Sequence, residues 1–278
     1  MFRRRAGSTD VLEARAREWD ALVKTGRQFH LVHGREIYVV HTRDPIGRQL
    51  YISGEYDFDK VERSLNLLGR GSLGQLVDVG ANVGSVCIPT VARGLAERAI
   101  AIEPDPVNFS MLRANVAMNG LNDRISCVEA AVGPDDHREV LLELSEENKG
   151  DHRIEATNGT IRDRRSVNVT MRRLDSVVPS LDPDRDLIFM DVQGFEKFVL
   201  DGAGIHLTAG VPVAMELWPD VMMEYCTFDD LYAVIHGYSH YFDLNLKPAP
   251  VLTPLGELHH LWDGYIRGDV GFGDILLV

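Results

Sequence analysis

The chain holds only three cysteines in 278 residues. Cys87, Cys127 and Cys226 stand far apart and form no C-x-x-C pair. This argues against a disulfide framework or a zinc ribbon and leaves three small, reduced apolar side chains. No apolar run approaches the ~20 residues of a membrane helix. The opening MFRRRAGSTD is basic but has no apolar signal-peptide core, so the expected location is cytoplasmic. Basic residues are also in deficit: 29 Lys and Arg face 42 Asp and Glu, a net charge of −13. Arginines cluster at Arg3 to Arg5 and at Arg162, Arg164 and Arg165. A nucleic-acid surface needs a broad basic face to displace counterions, so nucleic acid is not the expected partner. An acidic field suits a cationic ligand. The motifs of nucleophilic hydrolysis and NTP hydrolysis, G-x-S-x-G and the P-loop, are missing as well.

What is present reads as a globular α/β protein, 45% apolar and 26% charged. Residues 1–70 are expected to form an N-terminal extension. It has an amphipathic helix over 9–24, capped by Thr9 and with Leu12, Trp19 and Val23 near one face, then a hairpin in FHLVHGREIYVVHT. QLYISGEYD reads as extended, and DKVERSLNLLGRG as a helix ending at Gly69. Residues 71–278 alternate between short apolar strands and helices, beginning with QLVDVG, VGSVCIPTVARG and RAIAIEP. The helix DPVNFSMLRANVAMNG has Asp105 as N-cap, Pro106 at its first position and Asn119-Gly120 at its end. RISCVEAAVG, DLIFMDVQG and GVPVAMELWP are the next strands of a parallel, Rossmann-like doubly wound sheet. HGYSHYFDL and GDILLV leave little room for a crossover helix, which predicts an antiparallel pair at the C-terminal end of the sheet. An insertion at about 134–180 carries two paired strands, EVLLELS and SVNVTMRRL. The polar loop joining them is either a substrate lid or a mobile surface hairpin.

LVDVGANVGS is the most informative stretch. In an open α/β sheet, ligands bind beyond the carboxyl ends of the strands, where Gly80 and Gly84 fall. Gly80 permits a tight turn and Gly84 close helix–strand packing. A pyrophosphate loop wants a third glycine at 82, where this chain has Asn82. Asparagine tolerates left-handed backbone angles, so the turn survives while phosphate approach is obstructed. Glu103, about 20 residues beyond Gly80 at the tip of the next strand, is placed to accept both ribose hydroxyls of a nucleoside. A nucleoside without a pyrophosphate suggests S-adenosylmethionine, with Asp78 and the turn holding its amino-acid tail.

Together SGEYD, VDVGANVGS, AIEPDPVNFSMLRANVAMNG, AAVG, RLDS, DVQGFEKFVLDGA and AMELWP resemble, in order, the FkbM family of S-adenosylmethionine-dependent methyltransferases. The resemblance runs from about Ser53 to the C-terminus. It implies a class I methyltransferase fold, and methylation of a hydroxyl on a sugar, glycolipid or secondary metabolite. Carried over by position, it makes Asp78, Gly80, Ala81, Asn82 and Gly84 the first cofactor motif and Glu103 the ribose carboxylate. Glu129 and Ala130 fall beside adenine, and Asp191 is the aspartate after strand four. Two positions depart from the family: Met190 stands where a lysine is usual and Gln193 where a glutamate is usual, which leaves Asp191 without its expected lysine neighbour.

A sugar hydroxyl is weakly acidic, so its methylation benefits from a base or a metal. Asp191 is the first candidate base and Glu216, in AMELWP, the second. As alternatives, Asp191 caps the turn into GFEKFVL, or the two carboxylates hold Mg²⁺. His236 and His240 are spaced four apart in a segment that does not read as helix, which argues against a zinc pair. His152 is either a solvated loop residue or within reach of an acceptor, and Trp218 either lines the acceptor pocket or packs in the core. Asp175 reads as a strand terminator, and His259-His260 as surface. Two rival functions remain open: a nicotinamide-dependent dehydrogenase, which Asn82 disfavours, and a cofactor-binding relative without activity, motivated by Met190 and Gln193.

Overall fold

The computed structural model describes residues 9–146, 148–155, 164–246, 250–268 and 270–278. Arg3 to Arg5, Arg162 and part of the polar loop in the insertion lie outside these ranges. Helix α1 (Thr9–Val23) precedes an antiparallel hairpin of β1 (Phe29–His33) and β2 (Ile37–His41). Thr9, expected as the cap of α1, is its first helical residue. Helices α2 (Pro45–Ser53) and α3 (Phe58–Leu67) follow.

Helix α2 stands where QLYISGEYD reads as extended. The signals that make it a helix are Asp44, whose Oδ2 accepts the Gly47 amide at 3.1 Å, Pro45 at the first turn, and Gly54, whose φ of 81° ends it. Ile46 and Leu50 then share a face buried in the core.

Strand and helix alternate through β3 (Leu73–Val79), α4 (Cys87–Ala92), β4 (Ala96–Glu103), α5 (Pro106–Met118) and β5 (Ile125–Glu129). Asp105 caps α5, its Oδ2 accepting the Asn108 amide at 3.0 Å. Next, β6 (Ala131–Val132), β7 (Arg138–Leu144), β8 (Arg153–Ile154) and β9 (Arg165–Arg172) build a separate four-stranded sheet in which β7 and β9 pair antiparallel. The chain continues through α6 (Leu174–Val177), β10 (Leu187–Met190), α7 (Glu196–Asp201), α8 (Gly204–Thr208) and β11 (Val213–Leu217). It ends with α9 (Pro219–Met222), α10 (Phe228–Ile235), β12 (His240–Asp243), β13 (Leu252–Pro254), α11 (Leu258–Arg267) and β14 (Gly273–Leu277).

The main sheet has the order β13-β12-β14-β11-β10-β3-β4-β5. β11, β10, β3, β4 and β5 run parallel, and β14 is antiparallel to both β11 and β12. This is the Rossmann-like, mostly parallel sheet of the class I methyltransferase type, with its antiparallel C-terminal strand. One detail differs: α11 does fit between β12 and β14 in sequence, anchored by buried Leu258 and Trp262. Alternate residues feed two cores. Leu187 and Phe189 face one, Ile188 and Met190 the other, which is why these strands are apolar throughout.

Strand β3 is followed by β4 on one side and neighbours β10 on the other, so the winding reverses there and opens a crevice at the carboxyl ends. Two backbone features hold that crevice. The Gly80 and Ala81 amides both donate to the Ile102 carbonyl at 3.0 Å. Gly80 has φ 83°, and a Cβ there would lie 2.1 Å from the Asp191 carbonyl oxygen. Backbone cannot yield as a side chain can, so Gly80→Ala combines left-handed strain with a clash. A destabilisation of roughly 3 kcal/mol is expected, a drop of about 10 °C in melting temperature by calorimetry.

Candidate active site

The crevice contains a cleft of about 560 Å³, mouth included, that adjoins a chamber of about 360 Å³. Gly80, Asn82, Gly150 and Asp191 line both. Glu103, at the tip of β4, sits on the cleft wall and is 4% exposed. Its Oε2 accepts the Asn82 amide and its Oε1 the Asp105 amide, each at 2.9 Å. Burial pushes its carboxyl up to about 8, against the pull of those two amides. Each oxygen keeps lone-pair capacity for a further donor.

Asn82 adopts φ 49°, as its tolerance of left-handed angles allows. Its Nδ2 donates to the Lys149 carbonyl at 2.9 Å, and Asn108 Nδ2 donates to the same oxygen at 3.0 Å. The Oδ1 atoms of both asparagines are buried and find no hydrogen-bond partner among the described residues. An unmet buried acceptor costs roughly 1–3 kcal/mol, which a donor reaching these oxygens would offset. A ribose with two hydroxyls fits a wall of one carboxylate and two unused amide oxygens.

The other expected cofactor residues divide. Ala130 lines the cleft, and Asp78 and Ala81 line the chamber. Asp78 is buried with its Oδ2 accepting the Cys87 amide at 3.1 Å, so it also fixes the start of α4; burial raises its carboxyl to about 7. Gly84 lines neither the cleft nor the chamber. A Cβ there would meet Ile88 Cδ1 at 2.6 Å, which makes it the packing glycine. Glu129, expected beside adenine, is exposed at the end of β5 and stands outside the cleft lining; Ala130 holds the inward position.

The described part of the insertion straps across the cleft. Lys149 donates its amide to Asp44 Oδ1 at 3.0 Å and its ammonium to the Ser145 carbonyl at 2.9 Å. His152 Nδ1 accepts the Ser145 amide at 2.9 Å, and its Nε2 lies 3.6 Å from Asp105 Oδ2. His152 is therefore part of the strap that covers the cleft.

On the far side, Asp191 follows β10 and Glu216 lies within β11. Gln193 Nε2 donates to Asp191 Oδ1 at 2.5 Å and to Glu216 Oε2 at 3.4 Å. Glu196, at the start of α7, adds a third carboxylate. Lys60 Nζ pairs with Asp274 at 2.8 Å and Asp57 at 3.0 Å. Burial disfavours its ammonium, but Asp274, Asp57 and Asp191 outweigh burial and raise its pKa. Met190 is core, and Lys60 from α3, ion-paired with Asp57 and Asp274, acts on Asp191 only through space. Burial raises Asp57 to about 6, and burial together with Asp191, Glu196 and Asp274 raises Glu216 well above the usual carboxylate range.

Trp218 is half-buried, its ring 5.1 Å from that of Phe272 and covered by the Arg153 guanidinium at 5.3 Å, so it is not a core residue. His236 and His240 bond separately to the Ala233 carbonyl and Ser239 Oγ. Asp175 Oδ1 accepts the Ile205 amide at 3.1 Å, a structural task.

The sheet order and the crevice at the strand–turn–helix junction define a Rossmann-like α/β protein of the class I methyltransferase type. The family model for the methyltransferase FkbM domain matches residues 78–238, and the chain belongs to that family. It is 31% identical over 138 residues to the Type II methyltransferase M.XamI of Xanthomonas campestris pv. amaranthicola, a match covering 49% of this chain and 24% of the relative. Among solved structures, Methyltransferase FkbM from Methylobacillus flagellatus KT aligns with a TM-score of 0.47 and 16% identity over 83% of this chain and 52% of that one. The precorrin-6y C5,15-methyltransferase of Geobacter metallireducens GS-15 aligns at 0.39 and 15%, over 79% and 87%. The chain thus spans about a quarter of the curated relative and half of the first of these structures. Among the described residues, no helix is long and apolar enough to cross a membrane.

Proposed function

We propose that the chain is an S-adenosylmethionine-dependent O-methyltransferase acting on a hydroxyl of a carbohydrate-like or other small metabolite. The observation that carries this reading is the cleft wall of Glu103 and the unpartnered Asn82 and Asn108 acceptors, leading directly to Asp191. Residues 71–278 form the donor-binding unit. The extension, residues 1–70, contributes Asp57 and Lys60, and the insertion over 134–180 contributes Lys149. The bound donor supplies a methyl carbon that is attacked by the acceptor oxygen as its bond to sulfur breaks. Glu103 holds the ribose, and the strap at Lys149 excludes water. Asp191 takes the hydroxyl proton, and Lys60 steadies the charge around it. Holding both reactants in line is itself worth several kcal/mol.

The nicotinamide alternative is disfavoured because the Asn82 side chain, bonded to Lys149, occupies the space a pyrophosphate would need. The positive charge of Lys60, which acts on Asp191 through space, weakens the motive for an inactive relative that Met190 gives. Calorimetry with S-adenosylhomocysteine and NAD tests the donor: binding of the first and not the second is expected, and the reverse overturns the reading. Tritiated donor incubated with small-molecule extracts should then label a hydroxyl-bearing product.

Donor binding should depend on pH. Ribose donors favour the ionised form of Glu103, whose carboxyl sits at about 8 in the free protein. Binding below that value therefore releases a proton. The dissociation constant should fall by up to about tenfold per unit from pH 6 to 8, then level off. Calorimetry in two buffers of different ionisation enthalpy checks the proton release, and Glu103→Gln should flatten the dependence. Stability of the free protein runs the opposite way: with the folded pKa above the unfolded one, it falls as pH rises from 4.5 toward 8.

A further inference from the structure

We propose that Asp191, Glu196 and Glu216 bind one divalent cation of the oxygen-seeking class, Mg²⁺ or Mn²⁺, beside the acceptor crevice. The inference rests on the methyl-transfer reading for its purpose, not for its geometry. The three carboxylates come from the turn after β10, the start of α7 and the strand β11, and each offers one oxygen within 4.8 Å of the others. Cation–oxygen distances of about 2.1 Å put ligand oxygens roughly 3–4 Å apart, so only a small contraction is needed.

Glu196 supplies an independent sign. It is 0% exposed, its Oε1 accepts the Val192 and Gly194 amides at 3.1 and 3.3 Å, and its Oε2 finds no partner among the described residues. A wholly buried carboxylate oxygen with no donor wants a cation. Charge points the same way. Lys60, whose charge acts on Asp191 through space, forms its ion pairs with Asp57 and Asp274. Among the described residues, the side-chain hydrogen bonds of Asp191 and Glu216 come from the neutral amide of Gln193. A half-turn of that amide would present Oε1 as a fourth ligand, because amide oxygen and nitrogen are assigned by their surroundings. The sulfonium of the donor brings a single positive charge and loses it on transfer. A divalent ion would stay, and would acidify a hydroxyl held on its open face, with Asp191 ligating through one carboxylate oxygen and keeping the other for the proton.

The full chain, stripped with EDTA, should be titrated with MnCl₂ by calorimetry and by electron paramagnetic resonance, with and without S-adenosylhomocysteine. One Mn²⁺ per chain is expected, with at least tenfold weaker binding in Glu216→Gln and Glu196→Gln. Should Glu196→Gln melt early, Asp191→Asn replaces it as the second variant. Failure of wild type to bind Mn²⁺ in either condition overturns the proposal, as does Mn²⁺ binding that all folded variants leave unchanged. The heat of S-adenosylhomocysteine binding in the same samples keeps the two readings apart: bound nucleoside without Mn²⁺ sinks the cation site alone.

Discussion

Asp191→Asn is expected to lower the turnover number for methyl transfer by about 10²–10⁴-fold, the range of a lost general base. The substitution keeps shape and hydrogen bonding, so Gln193 retains a partner at the end of β10. It removes the carboxylate that, in the proposed mechanism, would receive the hydroxyl proton, and that interacts favourably with Lys60. S-adenosylhomocysteine affinity should change by no more than a few-fold, because the proposed ribose site at Glu103 lies across the cleft. Rapid-quench transfer of tritiated methyl to the acceptor found by labelling measures the first quantity, and calorimetry the second. An asparagine variant with undiminished turnover would remove the base from Asp191 while leaving the donor site intact. A variant that lost affinity and turnover together would instead mark Asp191 as part of the donor pocket.

The sequence made one half of this site readable and hid the other. The turn at 80–84, Glu103, the capped helix α5 and the apolar strands β10 and β11 carry local signals: glycine where φ is positive, proline at a helix start, apolar residues on both faces of a covered strand. The remaining contacts join residues far apart in the chain. Lys149 reaches Asn82, Asn108 and Asp44, none near it in sequence, and periodicity holds no record of such pairings. Lys60 is the sharpest case. By motif, Asp191 lacks its lysine; in space, α3 places Lys60 against Asp57 and Asp274, from where its charge acts on Asp191. Helix α2 was misread for a different reason. Its capping residues Asp44 and Pro45 lie upstream of QLYISGEYD, so a window drawn on the apolar residues missed the start signal. For Glu129 and Ala130 the difficulty was one residue of register at a strand end, where the chain leaves β5 for β6 and neighbours fall on opposite sides.

Glu103→Gln should weaken S-adenosylhomocysteine binding by about 100-fold or more. Hydrogen bonds to a charged acceptor are worth roughly 1.5–3 kcal/mol each, and two ribose hydroxyls would lose that charge together. The glutamine also meets two backbone amides, from Asn82 and Asp105, with only one oxygen, so the turn loses a contact even in the free protein. That loss is offset by removing a buried carboxylate whose ionisation burial already opposes. The melting temperature of the free protein should therefore shift far less than the affinity does. A double-mutant cycle isolates the ribose contact from the turn. Wild type should bind the 2′-deoxy analogue much more weakly than the parent nucleoside, whereas the variant should bind the two about equally. If the variant discriminates between them as strongly as wild type does, Glu103 serves only to brace the Asn82 turn, and the ribose is held elsewhere in the cleft.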